Sequence, residues 1–191
     1  MTDQQIIQGL RNRDEGMLKK FVDEYQQMVI NVSYDFVHNK EDALDIAQEV
    51  FIKVYDSIDS FKARSKLSTW LYRIAVNQSL NFIRDKKRRN IFSSLDRLFD
   101  NSHASFAKNV QDDRGNAQER MESEEQKRML YKFMDELPRK QKIAFTLKEL
   151  EGLAYKEIAA IMEVSVNETG VLINRARKKL QKRLVAYFKK Y

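Results

Sequence analysis

The sequence predicts an all-α protein built from two small helical domains joined by a flexible linker, and three observations carry that expectation. Only 1 Pro and 5 Gly occur in 191 residues, so long helices run without interruption. Apolar side chains recur at helical rather than alternating spacing through both halves. Composition changes between residues 90 and 120, where Asn, Ser, Asp and Gln replace a sustained apolar period. The expected organisation is a helix bundle over 1–89, a linker over 90–120 and a smaller helical unit over 121–191.

Taken in order, a short helix is expected over 3–11 and a second from Asp14 to His38. Leu18, Phe21, Val22, Tyr25, Val29 and Val32 supply the apolar face of the second. From Glu41 to Asp56 the sequence is strongly amphipathic. Ala43, Ile46, Ala47, Val50, Phe51 and Val54 make one stripe, and Asp42, Asp45, Glu49, Lys53 and Asp56 the opposite one. After a polar loop (DSIDSFKARSK), Leu67, Leu71, Ile74, Ala75 and Phe82 define the buried face of a helix over 67–88.

Beyond the linker, helix resumes near Glu119 and runs to Glu136. Pro138 suits the first turn of another helix, which reaches about Leu150. Glu151-Gly152 reads as a turn, Tyr155–Met162 as a short helix and Glu163-Val164-Ser165 as a tight connector. The last helix, from Val166 to about Phe188, opens with a capping box of Ser165 and Glu168.

Charge is distributed unevenly. The net charge of +7 divides into +2 over 1–90, −3 over 91–136 and +8 over 137–191. A basic last quarter suits a phosphate-binding module, and equally a soluble protein with a basic tail. With 0 Cys there are no disulfides, zinc–thiolate sites or thiol nucleophiles, and His38 and His103 are too far apart in sequence to suggest a metal site. No phosphate-binding glycine loop, triad spacing or ligand cluster appears, so neither catalytic residues nor a cofactor is expected. No stretch approaches the roughly 18 apolar residues of a membrane span, and no signal peptide opens the chain, so a cytoplasmic location is expected.

The C-terminal pattern fits a helix-turn-helix. Ala159 is small enough to let two helices cross closely, and Ile158, Met162, Val164 and Leu172 fall where apolar anchors are needed. The second helix would present its N-terminal half to base edges. Arg175, Arg177, Lys178, Lys179, Lys182 and Arg183 would follow as charge for phosphates. A three-helix bundle with a solvated basic face has the same spacing.

The segment GLAYKEIAAIMEVSVNETGVLINRARKKL resembles region 4 of the sigma-70 family of RNA polymerase sigma factors. EDALDIAQEVFIKVYDSIDSF, followed by STWLYRIAVNQSLNFIRDKKRR, resembles region 2. The two resemblances cover about residues 14–89 and 120–185, in the family's order. The lack of another domain between them resembles the extracytoplasmic-function (ECF) subfamily.

The resemblance implies a non-enzymatic subunit with core RNA polymerase and promoter DNA as partners. Asp45, Gln48 and Glu49 match the family's residues that dock on the clamp helices of the largest subunit. The flap is a second implied contact of the polymerase, and an anti-sigma factor an implied regulator. Phe61 and Asn77 match the pocket for a flipped base of the non-template −10 strand, and Lys62, Arg64 and Lys66 would hold its backbone. Trp70, Arg73, Asn77 and Arg84 fall on one ridge of the helix, with aromatic, amide and basic groups suited to unpaired bases. Phe61 as a loop anchor and Trp70 as a core residue are the competing readings. Lys86, Lys87 and Arg88 are placed to touch duplex phosphates just upstream.

For the −35 element the matching positions are Lys148, Asn167, Gly170, Val171, Asn174, Arg175 and Lys178. Gly170 and Val171 depart from the family by offering no side-chain hydrogen bond, which implies altered or weak −35 readout. The linker resembles a segment that threads towards the polymerase active-site cleft. Its Asp112-Asp113 pair is either a nucleic-acid mimic or part of a tether. A stand-alone helix-turn-helix regulator is the alternative; it would use the last domain alone and leave the acidic helix unexplained.

Overall fold

A computed structural model of the chain describes residues 2–99 and 117–189, with side chains for 2–90 and 125–189. Eight α-helices are present among the described residues: α1 (Asp3–Arg11), α2 (Glu15–Val37), α3 (Lys40–Ser57), α4 (Leu67–Phe99), α5 (Ala117–Asp135), α6 (Arg139–Phe145), α7 (Tyr155–Met162) and α8 (Val166–Phe188). A short 3-10 turn, Ile58–Ser60, follows α3, and a π-turn, Thr146–Leu150, extends α6.

The helix starts are chemically marked. Thr2 and Gln5 form a reciprocal capping box on α1. The Met17 amide donates to Asp14 Oδ1 at 3.0 Å, and the Asp42 amide to Asn39 Oδ1 at 2.9 Å, opening α2 and α3. His38 ends α2 in the left-handed conformation (φ 56°). The start of α4 is capped from a distance, its Leu67 amide donating to Asp3 Oδ2 of α1 at 3.0 Å. The Ser165 box forms only by half. Ser165 Oγ accepts from the Glu168 amide, whereas the Glu168 carboxylate turns to Lys140 Nζ at 3.0 Å. Pro138 stands one position outside its helix, at the N-cap of α6.

Ile6 and Leu10 of α1, Phe21, Val29, Val32 and Phe36 of α2, Ile46, Val50 and Val54 of α3, and Leu67, Leu71 and Ala75 of α4 form the core of the first domain. Gly9 lets α1 approach α2 closely: a Cβ there would lie 2.4 Å from Met17 Cγ. In the second domain Phe133, Met134, Leu137, Phe145, Ala176 and Leu180 pack between α5, α6 and α8. Other buried apolar side chains of this domain, including Ile143, Leu147, Ile158, Ile161 and Ile173, continue the first core across the junction. The domains therefore share a packed seam.

Two boundaries differ from expectation. Helix α4 runs on to Phe99, ten residues past Arg89, because nothing between 90 and 99 breaks a helix: neither Pro nor Gly occurs there. Helix α5 begins at Ala117. Asp112-Asp113 and His103 lie outside the described residues.

Candidate nucleic-acid interface

Three polar faces and one seam account for the residues singled out in the sequence. The first face is on α3. Its buried stripe turns Asp45, Gln48 and Glu49 outward, and all three are exposed, with no hydrogen bond or ion pair among the described residues. Leu44 (39% exposed) and Ile52 (57% exposed) accompany them. Sequence reasoning missed Ile52, although its place three residues after Glu49 and outside the apolar stripe was the available signal.

The second face is the loop before α4 and the outer side of that helix. Arg11 donates to the Phe61 carbonyl at 2.7 Å, and Arg13 pairs with Asp59 at 3.2 Å, so the end of α1 and the turn after it pin the loop. Phe61 is buried and its ring stacks on half-buried Trp70, with centroids 4.8 Å apart. Lys62 and Arg64 point to solvent, as does Asn77. Arg84 is exposed beside Asp85 at 3.1 Å. Lys86 reaches Asp42 at 2.6 Å, and Lys87 and Arg88 are exposed.

The third face is the first half of α8. The α7–α8 connector turns on Glu163, which adopts φ 56°, and the Val164 amide donates to the Ala159 carbonyl at 3.1 Å. Buried Thr169, Leu172, Ile173 and Ala176 then leave Asn167, Val171, Asn174, Arg175 and Lys178 exposed on one side. Val166 and Val171 are almost half exposed there, so the face mixes apolar and polar side chains. Gly170 is half-buried beside Tyr155, where a Cβ would rest 3.6 Å from the ring. Lys148 is engaged locally, donating to the Leu153 carbonyl at 3.2 Å above the Tyr155 ring. Of the six later cations, three are committed within the domain: Arg177 to Glu149, Lys179 to the Glu136 carbonyl and Arg183 to the Glu136 carboxylate.

The seam was not legible in the sequence. Arg73 of α4 donates to the carbonyls of Ala160 (2.7 Å) and Ile161 (3.2 Å) and pairs with Glu163. A cation thus sits at the negative end of the α7 dipole. Lys66 lies 3.6 Å from Glu157, and Tyr72 donates to Glu151 at 3.0 Å. A cavity beside Asn77 is walled by Arg139, Lys140 and Ile143 of α6 and by Met162 of α7 with Glu163 beyond it.

On the other side of the junction, buried Lys142 donates to the Phe36 carbonyl at 3.2 Å and to Asp135 at 2.6 Å. His38 stacks on Tyr131 at 3.9 Å between centroids and lies 3.6 Å from Asp135. Burial opposes the charge of Asp135, but His38 and Lys142 outweigh it and hold that carboxyl below its ordinary range.

Comparison with known proteins follows the same division. Residues 21–89 match the family model for sigma-70 region 2, and residues 127–180 that for sigma-70 region 4. The chain is 34% identical over 184 residues to the ECF RNA polymerase sigma-E factor of Escherichia coli, covering 96% of this chain and 95% of that one. It is 31% identical over 186 residues to the RNA polymerase sigma-H factor of Pseudomonas aeruginosa, covering 95% and 93%. The fold is similar to that of CnrH in complex with the cytosolic domain of CnrY (TM-score 0.67, 19% identity, 96% and 97% covered). It is also similar to the sigma factor RpoE in complex with the anti-sigma factor NepR from Bartonella quintana (TM-score 0.59, 21% identity, 87% and 95% covered). The chain belongs to the sigma-70 family of RNA polymerase sigma factors and, within it, to the extracytoplasmic-function subfamily.

Proposed function

We propose that this sigma factor joins core RNA polymerase through the outer face of α3 and directs it to promoters with two separate DNA-binding faces. The observation that carries the reading is the pairing of an exposed acidic patch on α3, whose Asp45 and Glu49 make no ion pair among the described residues, with an exposed helix-turn-helix on the second domain. Asp45 and Glu49 offer charge, and Gln48 an amide, to a basic partner, with Leu44 and Ile52 as apolar contact area beside them.

On the second domain, Asn167, Val171, Asn174 and Arg175 face the −35 major groove, and Lys178 the flanking phosphates. Gly170 brings the helix backbone, rather than a side chain, to the DNA. Lys148 supports this face by holding the turn before α7.

On the first domain, Asn77 reads an unpaired base of the −10 strand, and Phe61 backs Trp70 as one aromatic unit for stacking. Lys62, Arg64 and Lys66 follow the strand, as do Arg73 and Arg84, and Lys86, Lys87 and Arg88 meet the duplex upstream. Arg73 and Lys66 are engaged with α7, so promoter binding on this face requires the second domain to move off it.

The chain carries out no catalysis of its own in this scheme: strand separation draws on the binding of extruded bases. Its proposed site of action is the cytoplasm, where the polymerase and the promoter lie. An anti-sigma factor is the proposed regulator, by analogy with the complexes named above.

The reading is tested by titrating labelled protein with core polymerase and, separately, with promoter fragments. Tight binding to the polymerase and weak binding to DNA alone support it. Tight, specific binding to DNA alone, with none to polymerase, would assign a stand-alone helix-turn-helix regulator instead.

A further inference from the structure

Helix α1 lies before residues 21–89, which match sigma-70 region 2, yet it holds the loop of that region at both ends. Its apolar side belongs to the core, where Ile6, Ile7 and Leu10 are buried and Gly9 meets Met17 of α2. Its polar ends reach the loop that leads into α4. At one end the Asp3 carboxylate accepts from the Leu67 amide at 3.0 Å, where the loop stops. At the other the Arg11 guanidinium donates to the Phe61 carbonyl at 2.7 Å, where the loop starts. Between these anchors lie Lys62, Arg64 and Lys66, the cations proposed to follow the −10 strand.

We propose that α1 is a splint for this loop: Asp3 and Arg11 are positioning residues that fix the wall of the base pocket and so set how sharply the −10 base is read. The inference rests on the proposed role of the loop and Asn77 for its consequence on DNA, but not for the hold on the loop.

The nine residues of α1 set its two anchors about 12 Å apart along the helix axis. That spacing is fixed while the helix stays docked, so one rigid element defines both ends of the loop. Each bond has a charged partner, which makes it stronger than a neutral hydrogen bond. The Phe61 ring stacks on Trp70, so the bond from Arg11 also fixes the backbone beneath the aromatic unit.

The loop needs such a hold. Lys62, Ala63 and Arg64 are exposed, and Ala63 adopts φ 51°, a left-handed conformation that carries a steric cost for a residue with a Cβ. Arg13, in the turn after α1, extends the hold upstream. It donates to the Tyr55 carbonyl, lies over the Tyr55 ring at 4.5 Å and pairs with Asp59 at 3.2 Å. Lys66 also lies 3.6 Å from Glu157 of α7, but that contact goes when the second domain moves off. Helix α1 shares a domain with the loop, so its hold persists on the promoter.

The hold is measured first, without DNA. Lys62, Arg64 and Lys66 are trypsin sites, and their cleavage in the native full chain reports local opening of the loop. Asp3→Ala together with Arg11→Ala should raise it roughly tenfold relative to cleavage at Lys19 and Lys20 of α2, as two charge-assisted hydrogen bonds are lost. Asp3→Asn with Arg11→Lys, which keeps an acceptor and a donor, should restore most of the protection. Val32→Ala, a core truncation that removes neither anchor, should raise cleavage at both sets of sites together.

The consequence is measured with holoenzyme on a promoter fragment and its single-base −10 variants, as the ratio of open-complex formation between the parent and the best variant. Asn77→Ala identifies the position concerned, as the one whose ratio it lowers. There the double alanine substitution should lower the ratio at least about fivefold, the low end of what one base contact contributes. The Asn and Lys pair should restore the ratio, and Val32→Ala should leave it unchanged.

Unchanged cleavage of the loop in the double alanine variant would overturn the splint. So would faster cleavage with an unaltered base ratio, or an equal drop in that ratio with Val32→Ala. If Asn77→Ala lowers the ratio at no −10 position, the assignment of the pocket fails and the effect on base reading with it, while the cleavage result still decides the hold.

Discussion

Replacing both Asp45 and Glu49 with Lys turns the acidic ridge of α3 basic without touching the core. The two positions are one turn apart, fully outward, and without a hydrogen bond or ion pair among the described residues. Surface substitutions of this kind stay within about 0.5 kcal/mol of the parent. For a chain of this length that corresponds to a melting temperature shifted by less than about 2 °C.

The effect on association is much larger. The double substitution changes the local charge by four units, so a basic partner now meets like charge, which costs several kcal/mol. Taking about 3 kcal/mol as a working value, affinity for core polymerase falls at least a hundredfold. Fluorescence anisotropy of the labelled protein against core polymerase, at fixed salt, measures the affinity, and circular dichroism the melting temperature. An affinity within threefold of the parent, with the fold unchanged, would refute the assignment of this face to the polymerase.

Asn77→Ala should leave polymerase affinity unchanged while lowering open-complex formation at least tenfold, read by permanganate footprinting; equal losses in both assays would argue against a base-reading role. Two glycines should respond with opposite signs. Gly9→Ala drives a Cβ to 2.4 Å from Met17, so overpacking of about 1–3 kcal/mol exceeds the helical gain and thermal denaturation moves down. Gly170→Ala meets only an ordinary contact with Tyr155, so α8 gains up to about 1 kcal/mol and the melting point of the second domain rises; the same sign at both sites would contradict the packing described.

The elements that sequence reasoning placed well are those whose information is local. The stripe of Ala43, Ile46, Ala47, Val50 and Val54 defines which side of α3 is buried and, by exclusion, that Asp45, Gln48 and Glu49 face outward. The cap at Ser165 acts on an amide three residues away, and Gly152 marks its turn through a positive φ of 69°. What stayed hidden depends on partners far along the chain. Asp3 capping α4, Arg73 closing on the carbonyl end of α7 and Lys142 reaching the Phe36 carbonyl have separations of 64 to 106 residues. No periodicity encodes such pairs. The ridge of Trp70, Arg73, Asn77 and Arg84 was correctly spaced on α4, but spacing alone does not say that Arg73 faces a second domain while Arg84 faces water. The half-formed box at Ser165 has the same origin, since Lys140 competes for Glu168 from outside the helix.

Run-off transcription with purified core polymerase on genomic promoter fragments, with and without this protein, tests the central claim most directly. Discrete start sites that appear only when the protein is added, and that vanish with Asp45→Lys/Glu49→Lys, are the result expected of a sigma factor working through these faces. Identical transcripts with and without it, under conditions where the protein binds core polymerase, would contradict the account.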